Sequence, residues 1–272
     1  LRVDGERGLR RDADRLQMAF GDNGQQRFGF DVDHGDEIWR LGVAANRYRT
    51  DGVRERSAAE RTLASSRLDW APSDDGLLSL SAHHQEQPNS GDPQGLTRAE
   101  FQSDPFAASS AAALFGTRKS TRQSQFAARY QHEVGAAEFS IAAYAGQRSI
   151  HQVLSVPRAA QLAPGNGGGI VDLDRDYHGV ALRWSQRAQW SWADAEMNGE
   201  WRDERLSEDR RGYENFVGDQ LGVRGALRRD ESNHGNSRDA MLRVDVDPDP
   251  AWRLSGGVRR SHIVSYAEDG AL

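Results

Sequence analysis

The chain has no cysteine among its 272 residues, which excludes disulfide frameworks, cysteine-ligated zinc and thiol catalysis. It also lacks any run of about 18 apolar residues, the length that a membrane-spanning α-helix needs. Only 37% of the residues are hydrophobic, which fits a polar soluble β-protein, a disordered chain or a membrane β-barrel with alternating polar and apolar faces. Seven Trp, nine Phe and six Tyr argue against disorder.

The charge balance shows no excess of basic residues. The net charge is −6, whereas a nucleic-acid-binding domain usually carries a basic patch, so we expect no nucleic-acid partner. No signal peptide opens the chain, because Leu1 leads directly into a charged stretch. An exported protein needs such a peptide, so we expect the chain to be a mature fragment or a truncated copy.

The dominant pattern is an apolar residue at every second position, which is typical of β-strands with one apolar face. It recurs about eleven times, in segments close to the ~10 residues of a tilted membrane strand. Between the first two segments, Asn23-Gly24 predicts a type I′ hairpin turn. The segments lie near residues 14–22, 25–33, 39–46, 64–70, 78–83, 125–130, 138–143, 180–185, 194–201, 242–247 and 252–259.

The alternation also predicts which way side chains point, since neighbours along a strand face opposite sides. The side chains predicted to face lipid are Trp39, Leu41, Val43, Phe126, Tyr130, Val180, Leu182, Leu242 and Val244. Those predicted to face the lumen are Arg40, Asn46, Arg129, Arg183, Glu196 and Arg243.

The connections between the segments alternate in length. Short turns are predicted near residues 34–36, 73–76, 134–135, 187–189 and 247–250. Long polar loops are predicted at residues 49–59, 88–119, 150–175 and 204–237, with a short helix within 107–114. Transmembrane barrels show this asymmetry. The sequence therefore predicts an all-β fold: an antiparallel up-and-down transmembrane β-barrel, with long loops on one edge only.

No motif in the chain predicts catalysis, a metal site or a cofactor. The glycine-rich residues 165–169 lack the Lys-Ser/Thr ending of a phosphate loop. His83 and His84 are adjacent, so on a strand they face opposite sides and cannot chelate one ion. The acidic run 172–176 lacks the glycine and terminal glutamate of a calcium loop. We therefore do not expect an enzyme.

The two longest predicted loops hold arginines and aromatic residues together, a combination that suits a planar anionic ligand. Long loops on a rigid scaffold often carry recognition. Ion pairing within the loops is the alternative, because the arginines at 210–211 and 228–229 have acidic neighbours in the sequence. These neighbours are Glu208, Asp209, Asp230 and Glu231. The predicted ligand-binding residues are Arg98, Arg118, Arg211, Tyr213 and Arg224.

Several motifs resemble TonB-dependent outer-membrane receptors. Thr50-Asp51-Gly52-Val53-Arg54, followed by Ser57-Ala58-Ala59-Glu60-Arg61, is similar to the T-D-G-Y-R and H-S-A-A-E-R of their first large loop. Val53 stands where that family usually has tyrosine. Further similar segments are residues 87–88, 92–101, 117–120, 172–177 and 211–216. The subgroup resembled includes siderophore receptors and a receptor for pyrroloquinoline quinone.

The resemblance implies a barrel of about 22 strands around an N-terminal plug. It further implies residence in the bacterial outer membrane, contact with membrane lipid and lipopolysaccharide, and a TonB energy-transducing partner. Residues 1–13 would lead from a plug that this sequence does not contain, and residues 14–272 would form about half the barrel. The implied function is active uptake of a scarce small molecule such as a ferric siderophore.

Three alternatives to siderophore uptake remain open at this point. The ligand can be a quinone cofactor instead. The barrel can be a passive pore or a surface-binding barrel without energy coupling. A soluble carbohydrate-processing β-protein would need paired carboxylates in a cleft, whereas the acids here lie mostly in predicted turns and loops.

Overall fold

The computed structural model describes residues 12–249 and 251–270, and most of them belong to one antiparallel sheet of eleven strands. Its strands follow one another in chain order, and a two-stranded hairpin interrupts the last long loop. The sheet strands are β1 (Ala13–Gly21), β2 (Gln25–Gly35), β3 (Trp39–Thr50), β4 (Ala59–Ser73), β5 (Gly76–Gly91), β6 (Arg118–Val134), β7 (Ala137–Val153), β8 (Ile170–Trp190), β9 (Ala193–Tyr213), β12 (Leu227–Asp249) and β13 (Trp252–Asp269). The remaining elements are α1 (Arg98–Ser103), α2 (Ser110–Phe115), α3 (Arg158–Gln161) and the hairpin of β10 (Phe216–Val217) and β11 (Gln220–Leu221).

The predicted all-β, up-and-down architecture is confirmed. Eleven strands are half of the number that the resemblance implies, and the sheet is open, with β1 and β13 at its two edges among the described residues. Of the predicted segment 1–13, residues 1–11 lie outside the described residues and Ala13 already begins β1. None of the helices in the described part of the chain is long and apolar enough to cross a membrane.

The strand register places the large apolar residues in continuous rows on one face, which we call the apolar face. Leu41 pairs with Leu68, and Leu68 pairs with Leu80. Further along the sheet, Leu182 lies between Ile141 and Trp201. Every residue that was predicted to face lipid lies on this face. Their exposure to lipid remains a prediction.

The opposite, polar face carries all six residues that were predicted to face the lumen. Its charges are paired across and along the strands: Arg183 Nε lies 2.9 Å from Glu200, and Arg243 Nη2 lies 2.8 Å from Asp245. Ser255 also donates a hydrogen bond to Asp245, which leaves that carboxylate 7% exposed. Leu182 on the apolar face is 44% exposed. Greater crowding of the polar face is what the concave side of a curved sheet would show.

The long loops all lie on one edge of the sheet, as predicted. The connections on this edge are residues 22–24, 51–58, 92–117, 154–169 and 214–226. Those on the other edge are residues 36–38, 74–75, 135–136 and 191–192, and Asp249 of β12 pairs with Trp252 of β13 on the same edge. Asn23 and Gly24 both have positive φ, at 57° and 65°, as the predicted hairpin requires, although its loop has three residues rather than two.

Several predicted boundaries are wrong, and residues 170–175, which were predicted as part of a loop, are the start of β8. Residues 204–237 are mostly strand rather than loop, because β9 runs to Tyr213 and β12 begins at Leu227. These extensions have few apolar residues and are held by the hydrogen-bonded ladder and by ion pairs, so alternating hydrophobicity does not reveal them. The turn predicted at 187–189 lies at 191–192. The helix predicted within 107–114 is α2, whereas α1 and α3 were not predicted.

Two glycines on the polar face allow tyrosine rings to lie flat across neighbouring strands. A Cβ at Gly146 would lie 2.5 Å from Cζ of Tyr177, the residue paired with it. The same arrangement joins Gly179 to Tyr144. We expect Gly146→Ala to displace the Tyr177 ring and to lower the free energy of unfolding by about 1–3 kcal/mol, as overpacking typically does.

Gly235→Ala is the matched control on the polar face, because the nearest atom to a Cβ there is Leu206 Cβ at 3.9 Å. Urea unfolding of both variants measures the difference. Equal stability of Gly146→Ala and Gly235→Ala would contradict the packing described for Tyr177.

Candidate functional site

The tightest packing in the molecule lies among the long loops and not within the sheet. We use the name loop cap for residues 51–58, 92–117, 154–169 and 214–226. Most buried apolar residues belong to the loop cap or to the strand ends beside it: Ala108, Ala112, Phe115, Val153, Ile170 and Phe216. The loops therefore form a small core of their own above the mouth of the sheet.

Arg54 ties the first two loops of the cap together. Its guanidinium donates to the carbonyl oxygens of Ala107 at 2.9 Å and Gln94 at 2.8 Å. The amide of Glu55 donates to the carbonyl of Phe106 at 2.8 Å. Arg54 belongs to the motif that carries the family resemblance, and here it holds loop backbone rather than projecting toward a ligand.

Glu100 closes the cap between its two helices. It forms a capping box with Thr97 at the start of α1. Its other carboxylate oxygen accepts the amide of Ser110 at 3.0 Å and the hydroxyl of Ser110 at 2.8 Å, which joins α1 to α2. Hydrogen bonds from the Ser110 and Thr97 amides and hydroxyls lower the pKa of Glu100 to about 2.

The pKa of Glu100 predicts a pH dependence of the cap. A depressed pKa means that the carboxylate stabilises the folded loop above its unfolded pKa and that this contribution is lost as the pH falls toward about 2. We therefore expect Glu100→Gln to speed amide hydrogen exchange in residues 98–115 at pH 7. The difference from the unmodified protein should shrink below pH 4.5 and vanish near pH 2.

Exposed Glu37, in a turn on the opposite edge, provides the control substitution Glu37→Gln. A difference at residues 98–115 that persists unchanged to pH 2 would contradict the role of the Glu100 carboxylate.

A fully buried amide pair joins the last two loops. Gln161 Nε2 donates to Asn215 Oδ1 at 2.5 Å, and the backbone amide of Asn215 donates to Gln161 Oε1 at 3.1 Å. Asn215 Nδ2 also donates to the carbonyl of Leu154 at 2.6 Å. Both residues are 0% exposed, so the two bonds between them form away from water.

Three of the five predicted ligand-binding residues come together. Arg224 lies over the ring of Tyr213, 4.4 Å from its centroid, and its Nη2 contacts Asp172 at 2.5 Å. Arg211 pairs with Asp230 at 3.3 Å. Arg211 and Tyr213 lie on β9 on the same side as Trp201, so they extend the apolar face and not the polar face. Their role in binding remains a prediction.

The other two predicted residues lie apart from this group. Arg98 is the exposed first residue of α1. Arg118 begins β6, and its guanidinium donates to the carbonyl of Gly116 at 3.0 Å. The intraloop pairing that was the alternative to ligand binding occurs at Arg211 and Arg224, whereas Arg98 forms no ion pair with a described residue.

The sequence did not reveal the basic residues that the polar face presents just below the loop cap. They form what we call the arginine cluster: Arg148, Arg175, Arg210 and Arg229. Arg148 and Arg175 are direct cross-strand partners. Counting residues along each strand would have found them, because every second residue of a strand lies on the same face. Arg175 is an even number of residues from Arg183, which was predicted to lie on this face.

No protein-family model matches the chain. Solved structures match it closely in fold. The unliganded ferric citrate transporter FecA superposes with a TM-score of 0.77 at 17% identity, over 94% of this chain and 37% of that one. The siderophore receptor PiuA from Acinetobacter baumannii gives 0.74 at 12% identity, over 96% and 44%. The ferric preacinetobactin receptor BauA from the same organism gives 0.75 at 10% identity, over 94% and 42%.

The chain therefore has the fold of the barrel wall of these receptors, and it spans less than half of their length. They are a transporter and receptors rather than enzymes. In this chain, residues 12–249 and 251–270 contain no group of three or more His, Asp or Glu side chains that can hold a metal ion.

Proposed function

We propose that this chain is part of the wall of a bacterial outer-membrane receptor that imports a scarce ligand, such as a ferric siderophore, with energy from a TonB complex. The observation that carries the proposal is the division of one sheet into an apolar face and an ion-paired polar face, with long loops on one edge. A soluble sandwich would cover the apolar face with a second sheet, whereas here Leu182 and its neighbours are exposed.

The loops support the orientation of this receptor. Long loops on transmembrane barrels are extracellular and short turns are periplasmic. The loop cap would then lie outside the cell, where a ligand first arrives, and the polar face would line the route inward. The upper rim of the sheet would contact lipopolysaccharide.

Uptake by cells tests the proposal. We expect deletion of the gene to abolish energy-dependent accumulation of radiolabelled iron bound to the siderophores of the producing species, and a plasmid copy to restore it. Dissipating the proton-motive force should stop uptake by the complemented strain. Uptake that persists without the proton-motive force would identify a passive pore instead.

The molecule that the cells accumulate distinguishes uptake of a quinone cofactor from uptake of a siderophore. If the complemented strain accumulates pyrroloquinoline quinone but no iron chelate, the receptor mechanism stands and the proposed ligand is wrong. Accumulation of neither by the complemented strain would overturn the proposed uptake function.

A further inference from the structure

The polar face carries an unbalanced positive charge directly beneath the loop cap. Three consecutive rows of cross-strand partners on this face, from β6 to β12, define the region. The first row is Gln123, Arg148, Arg175, Glu208 and Asn233. The second is Thr121, Ile150, Leu173, Arg210 and Glu231, and the third is Lys119, Gln152, Val171, Gly212 and Arg229. The rows contain five cations and two carboxylates.

The two rows interleaved with these on the apolar face have the opposite balance. They are Arg122, Ser149, Asp174, Asp209 and Ser232, and then Ser120, His151, Asp172, Arg211 and Asp230. Four carboxylates there accompany two arginines. At this height the sheet therefore sorts positive charge to its polar face, although the chain as a whole has a net charge of −6.

The contacts within the cluster do not satisfy all of its guanidinium hydrogen-bond donors. Arg175 donates two hydrogen bonds to Glu208, and Arg229 Nε lies 3.0 Å from Glu231. These pairs occupy both carboxylates. Arg148 and Arg210 each have a buried Nε atom with no hydrogen-bond partner among the described residues.

Such an arrangement is costly unless something completes it. Arg148 and Arg175 are like charges on directly opposite residues, which is destabilising in a sheet. Buried donors without an acceptor add to that cost. Lower on the same face Arg183 pairs with Glu200, whereas Arg129 donates a hydrogen bond to the hydroxyl of Ser140.

We infer that the arginine cluster binds a ligand carrying two or more carboxylate or phosphate groups. The inference rests on the proposed uptake function, because it assigns that ligand's chemical class. Guanidinium groups bind such oxygens in bidentate fashion, and Arg148, Arg175 and Arg210 lie on three adjacent strands spaced about 4.8 Å apart, so one ligand reaches all three.

The apolar face of β9 provides a control for the cluster. Arg205 lies on the same strand as Arg210 but on the opposite face, where Asp203 pairs with it at 3.4 Å. Removing either arginine changes the net charge equally. Arg205→Ala is thus a matched control for Arg210→Ala.

The test measures binding of tricarballylate and of inorganic pyrophosphate to the purified intact protein by calorimetry. We expect saturable binding that weakens as salt rises, with glycerol giving none. The double variant Arg148→Ala/Arg210→Ala should bind at least about tenfold more weakly, as loss of charge-assisted contacts predicts. Arg205→Ala should change affinity less than twofold, and Arg148→Lys/Arg210→Lys should restore part of the binding.

Heat-modifiable mobility in gels shows whether each variant forms an intact barrel, and the lysine variant provides the comparison if the alanine variant does not. No binding of either probe to the unmodified protein, or equal weakening by Arg205→Ala, would overturn the inference. Uptake of a labelled iron chelate by cells is scored separately. Uptake without polyanion binding would reject the proposed ligand class and leave the uptake function standing. No uptake by the unmodified strain would reject the proposed uptake function.

Discussion

Placing an arginine at Leu182 should destabilise the protein in a lipid bilayer by about 2–4 kcal/mol, the cost of a cation on the lipid side near the membrane midplane. Leu182 lies in the middle of the apolar face between Ile141 and Trp201, with no charged residue directly opposite it. The free energy of unfolding of Leu182→Arg, measured by urea titration in vesicles, gives the cost.

Ser185→Arg is the control on the same strand. Ser185 lies on the polar face beside Glu138, which can pair with a new arginine. We expect a change below about 1 kcal/mol, since a partly exposed ion pair contributes little. A larger cost for Ser185→Arg than for Leu182→Arg would mean that the polar face is buried and the apolar face is not in lipid.

Removing the side chain of Asn215 should open the loop cap. Asn215→Ala leaves the carbonyl of Leu154 without its donor and Gln161 Nε2 without one of its two acceptors. Gln161 is fully buried and Leu154 is half-buried. Each buried group left unsatisfied costs about 1–3 kcal/mol. We expect amide exchange in residues 154–169 and 214–226 to accelerate at least about tenfold.

Asn236 provides the comparison, because it is exposed on β12 far from the cap. Asn236→Ala should leave exchange in the loop cap unchanged, and neither substitution should alter exchange in β6 and β7. Unchanged exchange of residues 154–169 in Asn215→Ala would contradict a cap held by the Gln161–Asn215 pair.

The parts of the strands that carry the apolar face could be located from the sequence, because their side chains alternate between two different environments. Leu41, Val43 and Leu182 were assigned to the correct face from the sequence, and the register confirms it. The upper halves of β8, β9 and β12 could not be found in this way. In β9 and β12 both faces are polar there, so hydrophobicity has no period and the backbone ladder alone defines the strand. In β8, Val171 and Leu173 alternate with Asp172 and Asp174, with the apolar residues on the polar face of the sheet.

That missing length explains why the predicted site was incomplete. With β9 ending near residue 203, Arg210 and Arg211 looked like equivalent loop residues. Once β9 extends to Tyr213, parity places Arg211 with Trp201 and Arg210 with Glu200, on opposite faces. Cross-strand neighbours such as Arg148 and Arg175 depend on register between strands, which a single sequence does not fix.

The loop cap is held by one contact that a local sequence pattern predicts and by another that no local pattern predicts. Thr97 and Glu100 have the spacing of a capping box, a local signal for the start of α1 that does not depend on hydrophobic periodicity. The pairing of Gln161 with Asn215 joins residues 54 positions apart, and no local pattern predicts it.

The central claim is that the polar face lines a lumen while the apolar face contacts lipid, and site-directed spin labelling tests it most directly. The chain has no cysteine, so single cysteines at positions 180 to 185 of β8 each accept one nitroxide label. In a bilayer, we predict that labels at 180, 182 and 184 collide more with oxygen, and those at 181, 183 and 185 more with a water-soluble nickel chelate. No alternation between neighbours, or alternation of the opposite phase, would contradict the account.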